Sequence, residues 1–134
     1  MSGTTTYDGQ LSTAASISNH VVHLMSEFTG RGPTKAWTSI DDDLVSVVLR
    51  ETLTKGERRL LAEGQGHLVL EMRRAFQTTM GRELISGVEK LTGRRVVAFL
   101  SANHLDPDIA IESFVMEPSA LNGSAPPVVG ASGG

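Results

Sequence analysis

A chain of 134 residues with 40% hydrophobic and 20% charged content has the size and composition of one globular domain and enough apolar material for one modest core. Its formal net charge of -3 gives no cationic footprint for nucleic acid, and the absence of cysteine excludes disulfides, thiolate chemistry and Cys-type zinc sites. No apolar run approaches the ~18 residues of a membrane span, and MSGTTTYDGQ lacks the basic and apolar regions of a signal peptide, so a cytoplasmic protein without direct membrane insertion is expected.

Small and polar residues over 1–11 read as a disordered tail, as does the Gly, Pro and Ser-rich stretch 119–134; the domain is expected over 12–118. Its first element is an amphipathic helix over Ser12 to Thr29, with Ile17, Val21, Leu24, Met25 and Phe28 on one stripe. Gly30 suits the left-handed position that ends a helix, and Gly32-Pro33 opposes continuation.

Lys35 to Ile40 and Leu44 to Glu51 then read as two strands joined at Asp41-Asp42-Asp43. In the second strand Val45, Val47 and Leu49 form a wholly apolar face. Thr54-Lys55-Gly56-Glu57 has the S/T-x-x-E pattern in which hydroxyl and carboxylate satisfy free amides at a helix start. Gly64 and Gly66 divide the next stretch into a short helix over 55–63 and a longer one over 67–92. The longer helix carries a drifting stripe of Leu68, Met72, Ala75 or Phe76, Met80, Leu84, Val88 and Leu91, a glycine at 81 that invites a bend, and a C-cap at Gly93. RRVVAFLSA and AIESFVME read as a second pair of strands around the turn HLDPDI, ending before Pro118.

Helix, hairpin, two helices and hairpin in that order predict an α+β two-layer sandwich with a four-stranded, mainly antiparallel sheet. The ordered set GRGP, LT with a following Glu, Arg73-Arg74, and LTG ahead of VVAFLSANH resembles the MpsC-like family over about residues 12–118. That family is a bacterial domain of unknown function named after a Na+-translocating, membrane-potential-generating system. The resemblance implies a small cytoplasmic protein in a setting of cation or inorganic-carbon transport, and brings no catalytic residues with it.

Each chemical candidate has a structural reading beside it. His20, His23 and Glu27 share one helical stripe and have the ligand types for a divalent metal, with His67 or His104 as a fourth donor; a solvated helix flank accounts for the same spacing. The loop Gly30-Arg31-Gly32-Pro33-Thr34-Lys35 offers backbone amides and two cations to a small anion, joined by Arg73 or Arg74 from the long helix. A helix stop leading into a strand needs the same residues, and the loop lacks the Walker pattern. Arg73, Arg74 and Arg82, with Glu71 and Glu83, also suit a partner interface or a plain exposed face. Asp41, Asp42 and Asp43 have no EF-hand spacing and read as a hairpin turn. Ser101, Asn103 and His104 with Asp106 or Asp108 fit a strand end rather than a hydrolase site. Trp37, the only tryptophan, is expected in the core or at an interface.

No catalytic set and no cofactor is expected. Two functions suit such a chain. The first is a non-catalytic accessory or regulatory module that forms a homodimer or higher homo-oligomer and binds a protein partner such as a membrane transporter subunit. The alternative is a small-anion or nucleotide-phosphate sensor built on the GRGPTK loop.

Overall fold

The sequence-coded stops and caps appear in the backbone of the protein, a computed structural model describing residues 2–118, with side chains from residue 12 onward. Helix α1 spans Ser2–Thr29, followed by strands β1 (Lys35–Asp41) and β2 (Leu44–Arg50), helices α2 (Lys55–Ala62) and α3 (Gly66–Thr92), and strands β3 (Val96–His104) and β4 (Ile109–Met116). Gly30 ends α1 at φ 84° and Gly93 ends α3 at φ 71°, in the left-handed region where a side chain is strained. Helix α1 starts ten residues ahead of the expected Ser12; the intervening stretch holds no proline to stop a helix growing back from the packed turns. The tail expected over 119–134 lies outside the described residues.

All strand pairs are antiparallel, in the order β1-β2-β4-β3. The β1–β2 turn is Asp42-Asp43, with Asp42 at φ 52°, an arrangement that aspartate tolerates better than most residues. The two hairpins join side by side through β2 and β4, which form the centre of the sheet. Val45, Val47 and Leu49 of β2 lie beside Phe114, Glu112 and Ala110 of β4, and all six are buried on one face.

Helices α1 and α3 cover that face. Ile17, Val21, Leu24 and Met25 of α1 meet Met80, Leu84 and Val88 of α3 and the buried strand residues in one apolar cluster. Phe99 of β3 stacks on Phe114 with centroids 5.0 Å apart, closing the core near Gly81 of α3. Gly81 lies inside an unbroken helix. A second glycine has a sharper role: any side chain at Gly87 would overlap the His20 imidazole, so this glycine admits His20 between α1 and α3. A Ser18 to Thr38 hydroxyl hydrogen bond of 2.7 Å ties α1 to the edge strand β1.

Two expectations about burial are corrected. In the first half of α3 the buried positions are Val69 and Arg73, not Leu68 and Met72, which are exposed, as is Leu91 at the end of the expected stripe. The register is turned by one residue because Glu57 of α2 offers Arg73 a buried carboxylate. Trp37 is 52% exposed and is no part of the core: it stands on the outer side of the edge strand β1 and lines a groove with Ala15 and Asn19 of α1.

Candidate functional site

The densest polar arrangement lies at the seam of α2, α3 and β4, and it is built from a helix cap. Thr54 caps α2, its hydroxyl accepting from the Glu57 amide at 3.1 Å while the Glu57 carboxylate accepts from the Thr54 amide at 2.8 Å. This box aims Glu57 inward. Gly64, at φ 78°, lets the chain turn back so that α3 packs on α2. Arg73 then reaches Glu57 with two bonds, Nε to Oε2 at 2.8 Å and Nη2 to Oε1 at 2.6 Å.

Arg73 also donates to the Thr52 hydroxyl at 3.2 Å and to the Thr52 carbonyl at 2.8 Å. Thr52 donates its own hydroxyl proton to Asp108 at 2.9 Å, and the second Asp108 oxygen accepts from the Leu53 amide at 3.0 Å. The cluster therefore clasps the β2–α2 connection, both helices and the β3–β4 turn. Burial pushes the Glu57 carboxyl up, yet the Arg73 hydrogen bond, the Thr54 amide and the Arg73 charge together hold it below its ordinary value.

Beside this clasp stands Glu112, on the core face of β4 between Val47 and Ser101. It is 1% exposed. Burial raises its carboxyl to about 7, opposed by the neighbouring Ser101 hydroxyl and the Arg73 charge. Among the described residues neither Glu112 Oε1 nor Ser101 Oγ meets a partner in full hydrogen-bond geometry, so the Ser101 hydroxyl offsets burial only weakly, an arrangement that suits a neutral carboxyl better than an ionised one.

The residues singled out from the sequence fall in several places. Arg73 has its donors committed to Glu57 and Thr52 inside the protein. Arg31 donates to the carbonyls of Glu51 at 2.5 Å and Leu53 at 3.2 Å, which fastens the end of α1 to the end of β2. Lys35 lies 4.0 Å from Glu51, exposed, and Thr34 hydrogen-bonds the same carboxylate. Two residues of the GRGPTK loop, Thr34 and Lys35, thus meet a carboxylate of the chain itself. Arg74, unlike Arg73, is exposed and lines a shallow groove with Gln77, Ser101 and Asn103.

His20 turns away from the other two members of its stripe: its Nε2 lies 3.1 Å from the Glu83 carbonyl of α3. His23 and Glu27 pair with each other at 3.3 Å on the surface. Among the described residues no group of three or more His, Asp or Glu side chains is placed to hold a metal ion. Asp43 takes an ion pair from Arg94 at 2.6 Å. Ser101 and His104 project to opposite faces of the sheet, His104 bonding the Pro107 carbonyl at 2.9 Å while Asp108 serves Thr52.

Two members of the buried cluster leave only a faint trace in the sequence. Glu57 is legible there as a helix cap but not as a partner for Arg73. Glu112, the one charged residue of β4, gives a signal only by interrupting an apolar strand.

The outer face of the sheet has a different character. Trp37, Val48, Ile111 and Ala102 form one row across the four strands, and Leu44, Val115 and Ala98 share another. Trp37, Leu44, Ile111 and Leu100 are exposed large apolar residues, and both helices that border the core lie on the other side. Soluble monomers rarely leave such a contiguous apolar face open.

A family model described as Na+-translocating membrane potential-generating system (MpsC) matches residues 9–118. No curated protein and no solved structure matches the chain. No helix among the described residues is long and apolar enough to cross a membrane.

Proposed function

The chain belongs to the MpsC family, and from that premise we propose that it is a non-catalytic accessory or regulatory module of a membrane-potential or ion-transport system, acting by self-association and by binding a protein partner. The observation that carries this reading is the pair of exposed apolar surfaces on opposite layers: the outer sheet face around Trp37, Ile111 and Leu100, and the Leu68 and Met72 ridge of α3. Surfaces of this kind are a cost to a free monomer and a resource for assembly.

The partner in this reading is a transporter subunit that moves cations or inorganic carbon, and the module works from the aqueous side. The test is recovery of the native protein from gently solubilised cells with its associated proteins. Reproducible, stoichiometric recovery of one transporter subunit, reduced by Leu68→Ser with Met72→Ser, supports the proposal. Recovery of the intact chain with no membrane protein overturns it. Anion sensing gains no support from the geometry, since Arg31 and Arg73 are engaged within the chain.

A further inference from the structure

We infer that the outer sheet face is a self-complementary interface that stacks on the same face of a second copy, with the strands of the two sheets running in opposite directions. The interface serves the self-association proposed for this chain and rests on that reading.

Besides its apolar side chains, the face carries charge at both ends. One end holds Lys35 and Arg50, paired across β1 and β2, with His104 at the far side of the same row. The other end holds Asp41 beside Leu44, next to the Asp42-Asp43 turn. The middle is apolar or small: Trp37, Val48, Ile111 and Leu100, with Ser39, Ser46 and Ser113. On the face itself Lys35 and Arg50 make one end basic and Asp41 makes the other acidic; bordering them, Glu51 contacts Lys35 and Arg94 pairs with Asp43 of the turn. Lys35 has one loose contact with Glu51 at 4.0 Å and is 68% exposed, so its charge remains available.

A closed pair is related by a two-fold axis, and with the strands of the two packed sheets aligned that axis runs either along the strands or across them. With the axis along the strands, each end lies over its own kind, and Lys35 and Arg50 face the His104 end of the second copy. With the axis across the strands, the ends exchange, and Lys35 faces Asp41 of the second copy, twice over. Charge complementarity selects the second arrangement. It also covers Trp37, whose size and rigidity suit an interface anchor.

The face has four strands at about 4.8 Å spacing and seven residues at about 3.3 Å, roughly 450 Å² in projection. Two such faces bury about 900 Å², the low end for specific association, so a weak pair in the micromolar range is expected.

The test is sedimentation equilibrium of the full chain between about 1 and 200 μM, with the emission of its single tryptophan followed over the same range. The wild type should pass from monomer to dimer with a blue shift of Trp37. Lys35→Asp and Asp41→Lys should each weaken the dimer about tenfold by setting like charges together, and the double variant should regain wild-type strength. Unchanged thermal melting of these exposed-site variants shows that the fold is intact. A wild type that stays monomeric throughout, or a double variant no stronger than the single ones, overturns the inference. A monomer that still captures a transporter subunit overturns this interface and the self-association it serves but leaves the partner-binding role, whereas a dimer that captures none overturns the transport role alone.

Discussion

Arg73 and Glu57 form a two-pronged ion pair with both side chains 3% exposed, joining two helices that are separated in sequence by a glycine turn. Burying such a pair is costly unless every donor and acceptor is met. Here the Thr54 amide, the Thr52 hydroxyl and the Thr52 carbonyl meet the remainder. Arg73→Met should destabilise the protein by about 3 to 5 kcal/mol, because it leaves the Glu57 carboxylate buried and unpaired. Adding Glu57→Gln should recover part of that loss, and a double-mutant cycle by urea unfolding measures the coupling.

Glu112 predicts an unusual pH dependence. Its folded carboxyl is raised from the ordinary 4.5 to about 7, so between those values the folded chain binds more protons than the unfolded one. Its contribution to stability is fully present below about 4.5 and is lost as the pH rises to about 7. The displacement corresponds to about 3 kcal/mol. Glu57, held below its ordinary value, acts in the opposite sense and loses its contribution only in more acidic solution. Thermal melting should show higher stability near pH 5 than near pH 8 in the wild type. Glu112→Gln, a neutral isostere, should flatten that difference and raise stability at pH 8; an unchanged profile would count against a buried titrating Glu112.

His20 and Gly87 make a size-matched pair between α1 and α3. Gly87→Ala adds a methyl where the imidazole sits, at a cost of about 1 to 3 kcal/mol for overpacking, partly offset by about 1 kcal/mol of helix propensity. In a His20→Ala background the same change should be neutral or stabilising. Melting temperatures of the four combinations decide this.

Asp108 anchors the β3–β4 turn to the start of α2 through the Thr52 hydroxyl and the Leu53 amide. Asp108→Ala should cost about 1 to 3 kcal/mol, since it leaves a part-buried amide without an acceptor. Amide exchange at Leu53 should quicken more than the global loss of stability explains.

Much of the fold was legible because it is written in local chemistry. Gly30 and Gly93 mark helix ends by tolerating positive φ, Thr54 and Glu57 form a cap three residues apart, and the aspartates at 41–43 supply a turn. The sites were less legible for an equally physical reason. His20, His23 and Glu27 share a helical stripe, but His20 is drawn to a carbonyl of α3 while the other two face water. Of the loop cations, Arg31 found the backbone carbonyls of Glu51 and Leu53 and Lys35 the Glu51 carboxylate, partners that no spacing within the loop announces.

Sequence by itself determined the order of elements, their caps and the inward face of β2, since these depend on periodicity and on neighbours a few residues away. Tertiary structure decided which side of β4 is buried. Alternation alone would favour Ile109, Ile111 and Val115 as core, yet pairing with β2 turns Ala110, Glu112, Phe114 and Met116 inward and leaves Ile111 exposed. It likewise turned α3 to bury Arg73 in place of Met72. A strand has two faces and a helix a full circle of them, and only the partner it packs against, here a second hairpin and a buried carboxylate, selects among them.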